Sequence, residues 1–155
     1  MNMSNTLRRY LDDRQAHFDM MSHRHTHCSM ETAAAAHVPG NRLAKSVILK
    51  DETGYLMAVL PSTRHVAVDE LNRTMGRQFR LADEQEIKNL FRDCEVGAIP
   101  PLGPAYGIRT VMEKSLIDAD DIYFEAGNHE DLIHTDIDTF LDLMTDADYA
   151  SFTRH

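Results

Sequence analysis

Two apolar runs joined by a short polar segment constrain the fold of this chain more than any other part of its sequence. Residues Leu43–Lys50 are rich in aliphatic and β-branched side chains, and Tyr55–Leu60 form the second run. Between them, Asp51-Glu52-Thr53-Gly54 has the composition of a turn. Two such runs across a short loop that contains glycine predict an antiparallel β-hairpin.

Lys45 is the residue of the first predicted strand whose position is hardest to explain. Because strand side chains alternate between two faces, Lys45 shares a face with Val47 and Leu49. Lys50 reaches water at the turn, whereas Lys45 is followed by apolar residues on both faces. Its ammonium group therefore either extends to solvent on an aliphatic stem or is a charge placed in a site. The residues alone favour the first interpretation, because lysine head groups usually reach solvent.

The length and composition indicate one ordinary globular domain. A chain of 155 residues can bury a core without disulfides or metal, so we expect a single domain over residues 1–155. No apolar run approaches the roughly 20 residues that span a bilayer, and residues 1–5 lack the character of a secretory signal. Two cysteines are too few for a disulfide scaffold. We therefore expect a cytoplasmic protein with no membrane partner.

The charge balance bears on nucleic acids as partners. Sixteen basic and 25 acidic residues give a formal net charge of −9. Affinity for long nucleic acids comes largely from neutralising phosphates, so this balance argues against a DNA-binding protein. Recognition of a single nucleotide end in a pocket remains compatible with it.

Hydrophobic periodicity, caps and breakers predict the order of the remaining elements. Helices are expected at residues 5–14, 30–37, 68–75, 84–92 and 137–144, and strands at 17–21, 43–50, 55–60, 79–81, 107–112, 122–125 and 132–135. The polar residues after 144 are expected to form a poorly ordered tail. This irregular alternation favours a mixed α/β (α+β) domain on one central sheet over a doubly wound fold.

The segment before the second predicted helix has an unusual composition. It contains His23, His25, His27 and Cys28. In an extended segment the three histidines would share one face, and imidazole and thiolate are good ligands for zinc or copper. Since no Cys-x-x-Cys or His-Glu-x-x-His accompanies them, the favoured interpretation is an exposed polar strand end before a helix cap. Metal binding is the alternative.

Two glycine-containing segments are further candidates for a site. The loop Gly97–Pro104 combines glycines and prolines, and it can hold backbone N–H groups in fixed positions for an oxyanion or a phosphate. In Gly127-Asn128-His129, glycine permits a sharp turn and the histidine could donate a hydrogen bond or shuttle a proton. The plainer interpretation of the loop is a crossover connection, and that of the second segment is a solvated turn.

Four segments match, in order, the motifs of a known family: Ala44–Lys50, Arg80–Glu86, Val96–Gly103 and Ile122–Glu130. Together they resemble the YbaK/ProX family of trans-editing aminoacyl-tRNA deacylases, relatives of the editing domain inserted in bacterial prolyl-tRNA synthetases. The resemblance covers about residues 15–144. It implies a central mixed, mostly antiparallel and partly barrel-like sheet surrounded by helices.

The resemblance also implies an activity, hydrolysis of the ester between a wrongly attached amino acid and the 3′-terminal ribose of tRNA. It assigns Lys45 to the terminal adenosine and the ester, the Gly97–Pro101 backbone to the aminoacyl carbonyl, and the Gly127–His129 turn to closure of the pocket. The implied catalytic residues are Lys45, Gly97 and His129, and the implied substrate-binding residues are Ala98, Ile99, Pro100, Pro101, Gly127 and Asn128. No metal and no cofactor are implied, and the amino acid stays open among alanyl, cysteinyl, seryl and threonyl esters.

An aminoacyl ester is already activated, so the expected chemistry needs little from the protein. A positioned water or the ribose 2′-hydroxyl, with stabilisation of the oxyanion, suffices without a covalent intermediate on Cys28 or Cys94. The expected partner is the 3′ aminoacyl end of a mischarged tRNA, with a synthetase or an elongation factor holding the rest. The alternatives are a non-catalytic module of the same fold that binds aminoacyl-adenosine or a similar ligand, and a metal-binding protein.

Overall fold

Helices and strands alternate irregularly in the computed structural model, which describes residues 2–155. The helices are α1 (Asn5–Asp13), α2 (Ser29–Ala36), α3 (Val68–Met75), α4 (Glu84–Leu90) and α5 (Ile137–Leu143). The strands are β1 (Asp19–Ser22), β2 (Leu43–Asp51), β3 (Gly54–Pro61), β4 (His65–Val66), β5 (Arg80–Leu81), β6 (Arg109–Glu113), β7 (Asp121–Glu125), β8 (Asp131–Asp136), β9 (Asp148–Ala150) and β10 (Thr153–Arg154). Short 3₁₀ turns occupy Gly40–Arg42, Gly103–Tyr106 and Lys114–Asp118. Within residues 2–155, no helix has the length and apolar character that crossing a membrane requires.

The predicted hairpin forms the middle of the central sheet. Strand β2 pairs antiparallel with β3 from Ala44 opposite Pro61 to Asp51 opposite Gly54. The strand order is β1-β8-β7-β2-β3-β6-β9, and β5 pairs with β2 outside this path. The β1/β8, β7/β8, β2/β3 and β2/β5 pairs are antiparallel, whereas β2/β7, β3/β6 and β6/β9 are parallel. The prediction of a mixed, mostly antiparallel sheet is confirmed.

One edge of β2 lacks a strand partner over the middle of its length. Strand β7 pairs with β2 at Leu43 and Ala44, and β5 pairs with it at Leu49 and Lys50. Over the described part of the chain, residues 45–48 therefore border a gap in the sheet on the side away from β3. Because side chains alternate between faces, residues from both faces of β2 can border this gap.

Apolar side chains cover both faces of the sheet. Ile48 of β2 belongs to the larger cluster, together with Leu7 of α1 and Phe140 of α5. Leu49, the next residue on β2, belongs to a second cluster with Leu71 of α3. Successive side chains of β2 therefore point to opposite faces, as the sequence predicts, and each face packs against different helices.

The helix ends largely follow the predicted caps. The Ser4 hydroxyl accepts a hydrogen bond from the Leu7 N–H, and Asp83 and Glu86 form a capping box. Gly76 ends α3 in a left-handed conformation, with φ of +65°. Helix α2 ends at Ala36, one residue before the predicted end, and His37 follows it as a C-cap in the left-handed conformation.

The prediction of a poorly ordered tail is wrong. Strand β9 pairs with β6, and β10 pairs with β4. Phe152, between β9 and β10, is 1% exposed and packs in the second apolar cluster. Its N–H donates to Glu113 Oε2 at 2.9 Å. The sequence around Phe152 is mostly polar and does not predict this pairing. A short edge strand needs few apolar residues to be held in place.

Candidate active site

A cavity of about 350 Å³ lies at the gap beside β2, a size that suits a small ligand. The β2 segment 44–48 lines this cavity, and so do Gly97 and Ile99 of the glycine-proline loop. Glu125, the last residue of β7, also lines the cavity, as do residues 27–29 at the start of α2. Lys45 and Gly97, which the sequence singles out separately, therefore border the same space.

Lys45 lies half-buried beside this cavity. Its Nζ donates a long hydrogen bond of 3.4 Å to the Ser62 carbonyl oxygen. Burial lowers the pKa of Lys45 from its ordinary value, and the nearby Cys28 has the opposite effect. Among residues 2–155, no carboxylate lies within 4.0 Å of this ammonium group. The position of Lys45 fits a charge placed in a site better than a side chain that extends to solvent.

The glycine-proline loop presents only part of its backbone to the cavity. The Ala98 N–H donates to the Glu95 carbonyl at 3.1 Å, so it is already occupied. Among the described residues, the N–H groups of Gly97 and Ile99 have no hydrogen-bond partner. The Ile99 carbonyl accepts a bond of 3.0 Å from the Ser46 hydroxyl, which ties the loop to β2. Ala98, Pro100 and Pro101 are buried beside the cavity and do not line it.

Glycine at position 97 is required by both conformation and space. Its φ of +92° is rarely adopted by residues with a side chain. A Cβ there would lie 2.9 Å from His129 Nε2 and 3.1 Å from the His27 carbonyl oxygen. The loop therefore rests directly on the imidazole ring of His129.

The Gly127–His129 turn connects the loop to the sheet and does not line the cavity of Lys45. The Glu95 N–H donates to the Gly127 carbonyl at 2.8 Å. Asn128 Oδ1 accepts from the N–H groups of Glu130 and Asp131 at 3.0 and 2.9 Å. Asn128 therefore stabilises the turn itself, which differs from the substrate contact that the resemblance implies.

His129 is buried behind the loop. It has a positive φ of +58°, and its ring borders a neighbouring cavity shared with His25. Its Nδ1 lies 3.4 Å from Thr26 Oγ1 and 3.7 Å from Glu125 Oε2. Burial lowers the pKa of His129 from its ordinary value. These contacts suit a residue that positions Gly97 and Glu125.

Glu125 is the feature of the site that the sequence reasoning missed. Its side chain is 5% exposed, with Oε1 3.8 Å from His23 Nε2 and Oε2 3.7 Å from His129 Nδ1. Neither carboxylate oxygen has a hydrogen-bond partner among the described residues. Burial raises the pKa of Glu125 to about 7, although the Thr32 hydroxyl opposes this shift. The sequence signal for this residue was an acidic side chain at the end of an apolar strand, shortly before a turn that contains glycine.

The histidine-rich segment divides between interior and surface. The His23 side chain is fully buried against Glu125, so the prediction of an exposed strand end is wrong for this residue. His25 is partly exposed and lies 3.1 Å from Glu95, and its ring contacts that of His27. Within residues 2–155, no group of three or more histidine, cysteine or acidic side chains is arranged to hold a metal ion.

Comparison with known families agrees with this geometry. A family model described as the aminoacyl-tRNA editing domain matches residues 23–143. The chain belongs to this family. The matched range includes β2, the glycine-proline loop and Glu125, which together border the cavity. The resemblance to an aminoacyl-tRNA editing family, read from four short motifs, is confirmed, while no curated protein matches the chain by sequence.

Solved structures share the fold at low sequence identity. A proposed trans-editing enzyme for prolyl-tRNA synthetase is 20% identical, with a TM-score of 0.82 over 99% of this chain and 100% of that one. A scaffold protein from the computational grafting of linear epitopes is 18% identical, with a TM-score of 0.83 over 99% of both chains. A proposed signal transduction protein of Marinobacter aquaeolei VT8 is 18% identical, with a TM-score of 0.78, and this chain covers 31% of its length. At these identities the likeness shows the fold.

Proposed function

We propose that this protein hydrolyses the ester bond of mischarged aminoacyl-tRNA, as a trans-editing deacylase of the YbaK/ProX type. The observation that carries this proposal is that Lys45 and the Gly97 loop border one cavity. Its volume of about 350 Å³ suits the aminoacyl end of a tRNA and not a longer stretch of nucleic acid. Membership in an aminoacyl-tRNA editing family supports the class of substrate.

In the proposed reaction, the carbonyl carbon of the ester faces the loop. A water molecule, positioned with the help of the ribose 2′-hydroxyl, adds to that carbon, and the bond to the ribose 3′-oxygen then breaks. The proton released by the water goes to the departing 3′-oxygen, which leaves a free amino acid and an uncharged tRNA. The N–H of Gly97 or Ile99 stabilises the oxyanion, since that of Ala98 is occupied. One such donor is worth about 3–4 kcal/mol.

Lys45 supplies positive charge to the same cavity. Its ammonium group has no carboxylate partner among the described residues, so it is free to contact the terminal phosphate or the ester oxygens. His129 acts as a positioning residue, because it contacts Gly97 and Glu125 and does not line the cavity. Burial raises the pKa of Cys94 to about 12, which keeps that thiol protonated and argues against a cysteine nucleophile there.

The partner proposed for this site is the 3′ aminoacyl end of a mischarged tRNA in the cytoplasm. With a net charge of −9, the protein gains little affinity from the tRNA phosphates. A synthetase or an elongation factor that holds the body of the tRNA would supply the remaining contacts. The proposed chemistry needs neither a metal ion nor a cofactor.

Turnover on a panel of tRNAs mischarged with alanine, cysteine, serine or threonine tests the proposed function. Each tRNA carries a labelled amino acid, and its release is followed with and without the protein. We expect release from at least one tRNA to be faster than spontaneous hydrolysis. Binding of an aminoacyl-adenosine analogue without release from any tRNA would contradict the proposal and favour a non-catalytic module of the same fold.

A further inference from the structure

One basic and one acidic side chain, Lys45 and Glu125, line the cavity without pairing with each other. Lys45 has an ammonium group with no carboxylate within 4.0 Å, and Glu125 has a carboxyl group with no hydrogen-bond partner, in both cases among residues 2–155. Buried polar groups are nearly always paired, so a buried carboxyl group without a partner, on a residue that lines a cavity, indicates a partner that arrives with the ligand. That partner must be a hydrogen-bond donor, and a cation fits best.

The described residues around Glu125 pack against its side chain without forming hydrogen bonds to its carboxylate oxygens. The two imidazoles flank the carboxylate at 3.7 and 3.8 Å, beyond hydrogen-bonding distance. The Thr32 hydroxyl lies close enough to lower the pKa of Glu125, but its hydrogen bonds are with the Cys28 carbonyl at 3.1 Å and with Thr26 Oγ1 at 2.7 Å. His23 and His129 are buried as well, and the two carboxylate oxygens of Glu125 are themselves buried at the wall of the cavity that this residue lines.

We propose that Glu125 binds the α-ammonium group of the aminoacyl ester, so that the site accepts esters with a free amino group and disfavours N-acylated ones. This inference rests on the proposed function and adds a recognition element to it. The carboxylate of Glu125 and the ammonium group of Lys45 then receive opposite ends of one substrate.

The position of Glu125 agrees with the chemistry of the substrate. In an aminoacyl ester the α-amino nitrogen is two bonds from the carbonyl carbon, so both must lie in the same cavity. Gly97, which is proposed to face the carbonyl, and Glu125 line that cavity together. A free α-amino group takes up a proton near neutral pH. Since a charge-assisted hydrogen bond is stronger than a neutral one, a buried carboxylate strongly favours the protonated amine.

Titration calorimetry with two non-hydrolysable ligands tests this inference directly. The ligands are 3′-alanylamino-3′-deoxyadenosine and its N-acetyl derivative, and the proteins are the wild type, Glu125→Gln and Glu130→Gln. Glutamine keeps the shape of Glu125 and removes its charge. Glu130 is an exposed acidic residue in the same turn, so its variant is the matched control.

We expect the wild type and Glu130→Gln to bind the free-amine ligand about tenfold or more tightly than the N-acetyl ligand. In Glu125→Gln this preference should fall to about one. Equal binding of both ligands by the wild type, or binding of neither, would overturn the inference. So would a preference that persists in Glu125→Gln, or one that disappears after dialysis against EDTA, which would assign the site to a metal ion.

Turnover separates this inference from the proposed function. If Glu125 is a general base, Glu125→Gln slows hydrolysis of aminoacyl-tRNA and N-acetyl-aminoacyl-tRNA equally while the binding preference stays intact, and the inference fails. If the wild type hydrolyses no mischarged tRNA but keeps a Glu125-dependent preference for the free amine, the proposed function fails and the inference stands.

Discussion

Glu125 is the residue at which the energetics of this fold are most unusual. A buried carboxyl group without a hydrogen-bond partner destabilises the folded state when it is ionised. The flanking imidazoles lie too far away to bond to it, and the pKa of His129 is itself lowered by burial. Charge from Glu95 and Asp131 raises the pKa of Glu125 further, whereas His25 lowers it. The ionised form of Glu125 therefore costs the folded protein stability, which agrees with the recognition role proposed for this residue.

This energetic cost predicts a pH-dependent effect of Glu125→Gln on stability. The pKa of Glu125 is about 7 in the folded protein and 4.5 as its ordinary value. The folded protein therefore holds a proton that the unfolded chain loses, and the contribution of Glu125 to stability falls as pH rises from about 4.5 to about 7. The free energy of unfolding of Glu125→Gln, relative to the wild type, should rise by about 3 kcal/mol over this range.

Urea denaturation between about pH 4.5 and pH 8 measures this difference. Glu130→Gln, which changes an exposed side chain, should show a difference from the wild type that does not vary with pH. A constant difference for Glu125→Gln would show that Glu125 titrates normally and that its carboxylate is not desolvated.

Lys45 and Glu125 show what the sequence does and does not reveal about single residues. A lysine inside an apolar strand marks itself as unusual, but the sequence does not show whether its head group reaches water. Glu125 lies within a matched motif, yet it reads as an ordinary residue before a turn. The burial of Glu125 depends on His23, about a hundred positions away. Local periodicity does not reveal such long-range packing.

The glycine-proline loop and the turn after β7 act as one unit at the scale of elements. The Glu95 N–H donates to the Gly127 carbonyl, and Gly97 packs against His129, so the loop and the turn are in direct contact. The sequence predicted both as separate candidates for a site. In the structure, Gly97 and Ile99 line the cavity. Gly127, Asn128 and His129 lie behind them and support the loop.

Gly97→Ala tests this arrangement. The new Cβ would meet the His129 ring at 2.9 Å, in a backbone conformation with φ of +92°. We expect a loss of about 1–3 kcal/mol in the free energy of unfolding and a marked fall in kcat/KM for a mischarged tRNA. Gly107→Ala is the matched control, because Gly107 has a φ of +67° and open space around it.

The two variants separate backbone strain from displacement of the loop. Gly107→Ala should lose about 1 kcal/mol of stability and keep the activity of the wild type. Thermal unfolding and single-turnover hydrolysis measure the two quantities. Equal activity in both variants would contradict a role for the loop in catalysis.

The C-terminal strands are the element that sequence reasoning misjudged. Residues 145–155 are mostly polar, and their pairing with β6 and β4 depends on partners far away in the sequence. Long apolar strands and capped helices, by contrast, were predicted within a few residues of their ends, because their stabilising contacts are local or periodic. Short edge strands carry no comparable local pattern.

Phe152→Ala tests whether this segment is part of the core. Truncation of a fully buried phenylalanine leaves a cavity, so we expect a loss of about 3–5 kcal/mol in the free energy of unfolding. Tyr149→Ala, at a position 39% exposed, should change stability by about 0.5 kcal/mol or less. Denaturant titration of the two variants gives both values. Similar small changes in both would mean that the tail is not packed.

At the scale of the whole molecule, the site arises from the way the sheet is assembled. Strands β7 and β5 share one edge of β2, and among the described residues no strand pairs with residues 45–48 on that edge. The cavity occupies this gap, so the residues of the hairpin that organise the fold also border the site. With a net charge of −9, the protein gains little attraction to tRNA phosphates, so the proposed contact is with the tRNA end, where one lysine in a cavity matters more than surface charge.

The most direct test of this account is single-turnover hydrolysis of the best mischarged tRNA by the wild type, Lys45→Ala and Lys50→Ala. Lys50 is on the same strand, but it pairs with Glu86 at 3.1 Å and lies outside the cavity. We expect Lys45→Ala to lower kcat/KM by about a hundredfold or more, with Lys50→Ala close to the wild type. Wild-type turnover in Lys45→Ala, or an equal loss in both variants, would contradict the assignment of the cavity as the active site.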